Sequence, residues 1–173
     1  MKAGKSIKLK PKDYWSTPRD VFKGIERITS LRFELDACAN AQNTKCSQFI
    51  TEQQNTLATE WGRNRAVFMN PPYSKPLPFV ERAIRARDEE DCNVAVLLNA
   101  DTSTRWFNLI AEHAQEIFFI TQGRVAFLDY RTGKAIRRNN RPQLIACFYN
   151  DSHKPWLDGQ VTHYIPLKEL INA

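Results

Sequence analysis

The stretch Val67-Phe68-Met69-Asn70-Pro71-Pro72-Tyr73 sets a carboxamide, two prolines and a phenol directly behind an apolar run. A residue that precedes proline is pushed out of the helical region, and a proline fixes its own φ and has no N–H. The NPPY backbone is therefore set before any ligand arrives. Two acceptors, the Asn70 side-chain oxygen and the Pro71 main-chain oxygen, are held in fixed directions, and the Tyr73 ring is expected to lie exposed beside them as a stacking face. This set suits a planar group bearing an exocyclic NH₂. Such an amine is a poor nucleophile because its lone pair is spread into the ring. Acceptors that take both of its hydrogens at tetrahedral directions favour rehybridisation and turn the lone pair toward an electrophile. That is preorganised electrostatics, which strengthens as charge builds on nitrogen and needs no strong base. Taken alone, the four letters also fit a turn that closes a strand.

The remaining reactive residues form no comparable pattern. Cys38, Cys46, Cys92 and Cys147 contain no CxxC pair, and His113, His153 and His163 no HExxH arrangement, so neither a zinc site nor a redox dithiol is expected. The cysteines read as free thiols, as in cytosol. The chain carries a formal charge of +6 over 173 residues, with the excess in the leading lysines, in Arg82, Arg85 and Arg87, and in Arg137, Arg138 and Arg141. A polyanion such as nucleic acid is the natural partner for that field; a merely solvated basic face is the alternative. Arg124 is a candidate phosphate contact. The stretch RRNNRP (137–142) joins cations to amides that can read base edges, though a solvated connection between strands fits it too.

The elements that must position these groups alternate. Thr17 before Pro18 predicts a capped helix start, followed by Val21, Phe22, Ile25 and Ile28 at helical spacing. RFELDA (32–37), QFIT (48–51) and RAVFMN (65–70) predict strands, and PFVERAIRARDEE (78–90) a helix with Phe79, Val80, Ala83 and Ile84 on one face. NVAVLLNA (93–100) is apolar throughout, as a strand covered on both sides should be. STRWFNLIAEHA (103–114) predicts another helix, capped by DTST. Trp61 and Trp106 are expected to pack the core or line a rim, and His113 to end the helix as a surface or capping group. EIFFIT (116–121), GRVAFLDY (123–130) and QLIACFY (143–149) complete the strands, the last two joined by an RTGK turn as a hairpin. The pattern predicts an α/β fold with a mostly parallel sheet and an antiparallel C-terminal edge. A basic arm over 1–13 and a single domain over 14–173 are expected. No stretch is long and apolar enough to cross a membrane, and the basic N-terminus lacks the apolar run of a signal peptide, so a cytoplasmic setting is expected. In such sheets ligands gather at the carboxyl ends of the strands, where DACAN, TEQQN, NPPY and NADTST all fall.

Taken in order, WSTPRDVF, FELDACAN, the NPPY block, LLNADTSTRWF and GRVAF resemble the bacteriophage-type DNA N6-adenine methyltransferases, the phage Dam-like family, over about residues 14–149. The resemblance implies a Rossmann-like fold that uses S-adenosylmethionine to methylate adenine in double-stranded DNA. It implies that Asn70 and Pro71 hold the N6 amino group and that Tyr73 stacks on a flipped base, since a base inside a duplex is unreachable. By the same resemblance Trp15, Thr17 and Pro18 match the N-terminal cofactor motif. Asp36, Ala37 and Cys38 match the motif that contacts the methionine part of the cofactor, and Asn55, or Glu52, the position near its ribose and adenine. Asp36 as an N-cap or a paired core acid is the alternative, and Cys38 reads as a small buried side chain, not a nucleophile. No metal is implied. One departure stands out: general methyltransferases of this fold carry a glycine-rich turn after the first strand, and DACANAQNTKC has no glycine, which limits close backbone approach to a ligand. Two rivals remain. One is a protein glutamine N5-methyltransferase, which also uses NPPY on an NH₂ group; the other is a DNA-binding protein that has kept the fold without the cofactor.

Overall fold

A computed structural model describes residues 13, 15–136 and 139–172. The basic arm up to residue 12, Arg137 and Arg138 lie outside the described residues.

Seven strands form the main sheet: β2 (Leu35–Asp36), β3 (Gln48–Phe49), β4 (Ala66–Met69), β5 (Asn93–Asn99), β6 (Glu116–Thr121), β8 (Gln143–Phe148) and β9 (Val161–Pro166), in the order β3-β2-β4-β5-β8-β6-β9. β3, β2, β4 and β5 run parallel, so Asp36, Asn70 and Asn99 come to the same end of the sheet. β5 and β8 occupy the middle, and the apolar side chains of Val94 to Leu98 are fully buried. A continuous apolar run is what a strand with both faces covered requires. The architecture is the Rossmann-like α/β fold with a mostly parallel sheet that the sequence predicts.

Register locates the antiparallel part more closely. β8 runs antiparallel to both β5 and β6, inside the sheet, whereas the outer strand β9 is parallel to β6. The expected hairpin between GRVAFLDY and QLIACFY does not form. Only β7 (Leu128–Asp129) of the first segment is a strand, and it pairs antiparallel with β1 (Trp15–Ser16) in a separate two-stranded ribbon. The RTGK turn is closed locally instead, by Asp129 N to Lys134 O at 2.9 Å, Gly133 N to Asp129 O at 2.7 Å and a bridge between Leu128 and Ala135.

The helices follow their apolar periodicity. α1 (Arg19–Thr29) buries Val21, Phe22 and Ile25, and α2 (Leu77–Glu90) buries Phe79, Val80, Ala83 and Ala86. α3 (Arg105–His113) is capped as expected, with Thr104 accepting from Phe107 N at 3.3 Å. The cap at α1 is different: Pro18 itself is the extended N-cap residue, and Thr17 makes no capping bond. A short C-terminal helix, α4 (Leu167–Ile171), packs on α1 so closely that a Cβ on Gly24 would lie 2.0 Å from Leu170 O. Only glycine fits there.

The arginines of α2 divide: Arg82 is spent inside the protein, Arg87 is half-buried and Arg85 is exposed. Arg82 is 3% exposed, pairs with Glu90 at 2.6 Å, donates to Thr59 O and lies 4.2 Å above the Trp61 ring. Glu90 also accepts from Trp61 N and Gly62 N. Arg85 donates to Leu57 O, and Arg87 to His113 O. Arg82 and Arg85 thus brace α2 against the loop before β4 and Arg87 braces it against the end of α3, and Arg82, neutralised by Glu90, adds little to a field aimed at a polyanion.

Candidate active site

Asn70 follows the last residue of β4, and the two prolines prevent the strand from continuing. Its side-chain Nδ2 donates to Trp15 O at 3.0 Å. Because a main-chain oxygen can only accept, that bond fixes which end of the amide is which. Oδ1 is left buried without a hydrogen-bond partner, and so is Thr17 Oγ1. Buried polar atoms in native proteins are nearly always paired, and an unpaired one calls for an explanation such as a missing ligand.

Both residues line one narrow cleft with Trp15, Ser16, Asp36, Cys38, Asn43, Lys45 and Phe68. Its free volume is about 10 Å³, room for one water. The segment that closes it is the N-terminal strap. Asp13 accepts from Ser74 N at 3.0 Å and Ser74 Oγ at 2.9 Å, and Ser16 and Trp15 bind the cleft's own side chains.

Asp36 ends β2 at 3% exposure. Burial raises its pKa to about 6, against the lowering effect of the Lys45 backbone N–H, the Lys45 charge and the Cys38 backbone N–H. Lys45 N donates to Asp36 Oδ2 at 3.1 Å, and Lys45 Nζ donates to Ser16 Oγ at 3.1 Å and to Asn43 O. Burial lowers the ammonium's pKa, with the Asp36 charge acting the other way. Among the described residues neither charge has an ion-pair partner within 4.0 Å. Cys38 is half-buried, not the fully buried side chain the sequence suggests, but its thiol lies on the inner side, where burial first and the Asp36 charge second hold it well above its ordinary range, as suits an inert side chain and not a nucleophile.

Tyr73 is not the exposed ring the sequence suggests. It is 5% exposed, edge-to-face with Trp15 at 6.1 Å and with Phe127 at 5.8 Å, and its hydroxyl donates to Leu97 O at 3.4 Å. Trp15 and Phe127 are themselves stacked at 5.4 Å. The β1–β7 ribbon carries these two aromatics over the NPPY loop, and apolar rings packed at such distances and angles bury readily.

The structure thus brings Trp15, Thr17, Asp36, Cys38 and Asn70 together. Ala37 is buried beside them, and Pro18 starts α1. Pro71 is buried in the loop directly after Asn70. Asn55 does not join the cleft. It is exposed in a turn, at φ 58°, and its Oδ1 accepts from Leu57 N. Arg124 and Arg141 are exposed at the same end of the sheet, next to the start of β8.

The model of the DNA N-6-adenine-methyltransferase (Dam) family matches residues 4–161. The chain belongs to that family. It is 44% identical over 143 residues to the "DNA N-6-adenine-methyltransferase" of Haemophilus phage HP1, across 83% of this chain and 82% of that one. It is 35% identical over 175 residues to the protein of the same description from Escherichia phage T1, across 92% of this chain and 71% of that one.

Three polar residues of the cleft of this Dam-family chain escape sequence reasoning, and so does a fourth that braces the start of β8. Ser16, Asn43 and Lys45 reach the cleft through the strap and the loop after β2. Gln143 is fully buried at the start of β8 and ties three segments together: it accepts from Val125 N at 3.1 Å and donates to Arg141 O at 2.6 Å and to Asn99 Oδ1 at 3.4 Å. Asn139 adds a bond to Val125 O at 2.9 Å. For Gln143 the available signal was a polar residue heading the apolar run QLIACF; Ser16, Asn43 and Lys45 lie in polar stretches that carry none.

Proposed function

We propose that this protein methylates the N6 amino group of adenine in double-stranded DNA, with S-adenosylmethionine as donor and with the target base flipped out of the helix. The observation that carries the reading is the Asn70 amide, whose Nδ2 is committed to Trp15 O and whose Oδ1 is buried and unpaired. Membership of the Dam family and the two phage relatives support it.

The cleft's donor set fits the proposed cofactor. Two unpaired oxygens, a carboxylate and an ammonium match a ligand with a zwitterionic end and an uncharged nucleoside. S-adenosylmethionine supplies, when bound, a methyl carbon made electrophilic by its sulfonium. Asn70 Oδ1 and Pro71 O accept the two N6 hydrogens and direct the nitrogen lone pair at that carbon. With the donor held there, the N6 lone pair would take the methyl group and the sulfonium would leave as a neutral thioether carrying the former S–C electron pair. The surplus N6 proton leaves to solvent by way of the amide oxygen. Neither Tyr73 nor Cys38 is asked for a proton, since burial holds both above their ordinary pKa. Alignment and two fixed acceptors supply most of the gain.

A cleft of about 10 Å³ and a covered Tyr73 imply that Trp15, Phe127 and the strap move when ligands enter. Once they do, the Tyr73 ring is free to stack on the flipped base. Arg124 and Arg141 meet phosphate, and the stretch 137–142, whose first two arginines lie outside the described residues, reads the target. A cytoplasmic setting, where DNA and the donor coexist, follows from the reading.

The test is incubation of the purified protein with methyl-labelled S-adenosylmethionine and duplexes of defined sequence, followed by nucleoside analysis. N6-methyladenine is expected. Label appearing in a glutamine-containing protein and not in DNA would instead favour the glutamine N5-methyltransferase reading, and no cofactor binding would favour a silent DNA-binding protein.

A further inference from the structure

The loop after β2 turns without glycine, and its construction explains how. Asn40 N donates to Asn43 Oδ1 at 2.8 Å, Gln42 N and Asn43 N donate to Asn40 Oδ1, and Thr44 N donates to Asn40 O. Asparagine side chains thus do locally what a glycine backbone would do by conformation. The result is a chain that folds back on itself and returns Lys45 to the end of β2, where its N–H binds Asp36 and its ammonium enters the cleft.

That ammonium is only partly satisfied. It has three N–H donors, and two are taken, by Ser16 Oγ and Asn43 O. Both acceptors are neutral. The nearest carboxylate, Asp36, is within electrostatic reach but not within ion-pair distance. Two opposite charges therefore line one small cleft without neutralising each other directly, an arrangement that costs desolvation unless a ligand bridges them.

We infer that Lys45 is the anion-binding group of this cleft and holds the α-carboxylate of S-adenosylmethionine, with Asp36 facing the α-ammonium of the same ligand. The inference rests on the cofactor reading above. It assigns to one lysine side chain the work that backbone N–H groups of a glycine-rich turn do where such a turn is present. A single charge-assisted contact of this kind is worth about 10- to 100-fold in affinity.

Calorimetry on the full chain tests it with three ligands: S-adenosylmethionine, its decarboxylated analogue, and 5′-methylthioadenosine, which lacks the amino-acid end. The proteins are wild type, Lys45→Met and Lys45→Arg, each checked by thermal melting. Lys45→Met is expected to bind S-adenosylmethionine about 30-fold more weakly than wild type, to bind the two ligands without a carboxylate within threefold of wild type, and to melt within about 3 °C of it. Lys45→Arg should recover most of the loss. Equal weakening toward all three ligands would make Lys45 a loop-shaping residue and overturn the inference, as would undiminished binding of S-adenosylmethionine by Lys45→Met. Failure of the wild-type protein to bind S-adenosylmethionine at all would overturn the cofactor reading itself, and is distinguishable because no variant is needed to see it.

Discussion

Two buried polar clusters sit at opposite ends of the main sheet and are finished differently. At the amino-terminal end of β6, Glu116 accepts from Lys154 at 2.6 Å, from Tyr149 at 2.7 Å and pairs with His163 at 3.0 Å. Burial alone would raise the Glu116 pKa, but these partners together hold it below the usual carboxylate range. Every lone pair that matters has a donor. At the other end, Asn70 Oδ1 and Thr17 Oγ1 have none, and Asp36 keeps a pKa raised to about 6. Burial is similar at the two ends, so burial is not what marks function. The difference lies in unpaired oxygen acceptors that line a cleft, unlike the unpaired Nε and Nη1 of Arg82, which are buried with Trp61 and Glu90 away from it.

The sharpest way to break this contrast is to remove one group from each end. Asn70→Ala should lower single-turnover methyl transfer by about 10³-fold, the scale of losing one preorganised hydrogen-bonding group. Calorimetry should find S-adenosylmethionine binding within about fivefold of wild type. Transfer that persists within tenfold would remove Asn70 from the reaction. Glu116→Ala should do the opposite, costing about 3–5 kcal/mol of stability by stranding the Lys154 ammonium, read from denaturant unfolding. At a temperature where the variant is folded, its transfer rate should stay within threefold. A folded Glu116→Ala protein with a hundredfold slower reaction would mean that the two ends are coupled.

The sequence made one end much more legible than the other. Asn70 and Asp36 stand at the tips of apolar strands, where a side chain that breaks the pattern is conspicuous, and α1, α2, α3 and β5 carry clear periods. β9 and α4 were not read. β9 follows an irregular stretch, and α4, five residues long, is too short for a helical period to show. The position of β8 between β5 and β6 depends on pairing partners far apart in sequence, and three apolar strands offer no local label for their order. The same reason hid Lys45, whose contact with Ser16 spans 29 residues. It also hid the covering of Tyr73, because Trp15 and Phe127 are far apart in sequence and meet at a ribbon of two-residue strands, Trp15 within it and Phe127 just before it.

Acidity sharpens the contrast from another side. Asp36 must be ionised to face an ammonium, so S-adenosylmethionine affinity should be level above about pH 7 and fall toward tenfold per unit below about pH 6, where Asp36 takes up a proton. Stability has the reverse sign. An acid whose folded pKa is raised above its ordinary 3.8 holds an extra proton in the folded state between 3.8 and about 6. Its contribution is thus fully present below the lower value and is lost as pH rises through the higher one. Asp36→Asn should flatten both curves relative to wild type, seen by calorimetry and by denaturant midpoints across pH 4–8. A wild-type affinity that is unchanged between pH 7 and 5 would put Asp36 outside the binding site.

The smallest expected effect separates the Tyr73 ring from its hydroxyl. The ring packs edge-on against both Trp15 and Phe127, so Tyr73→Ala should cost about 3–5 kcal/mol through the cavity it leaves, along with any stacking on the base. The hydroxyl makes one long bond, 3.4 Å, to Leu97 O, and burial keeps it protonated far above neutral pH. It can neither accept the N6 proton as a phenolate nor reach past its own ring to the amide of Asn70 while that bond holds. Tyr73→Phe should therefore cost about 1 kcal/mol of stability or less. Its single-turnover rate and apparent DNA affinity should each stay within about threefold of wild type. A hundredfold loss of rate with an unchanged melting temperature would show that the hydroxyl swings out of its pocket to take part in chemistry, and the closed ribbon would then be a resting state in a stronger sense than steric cover alone.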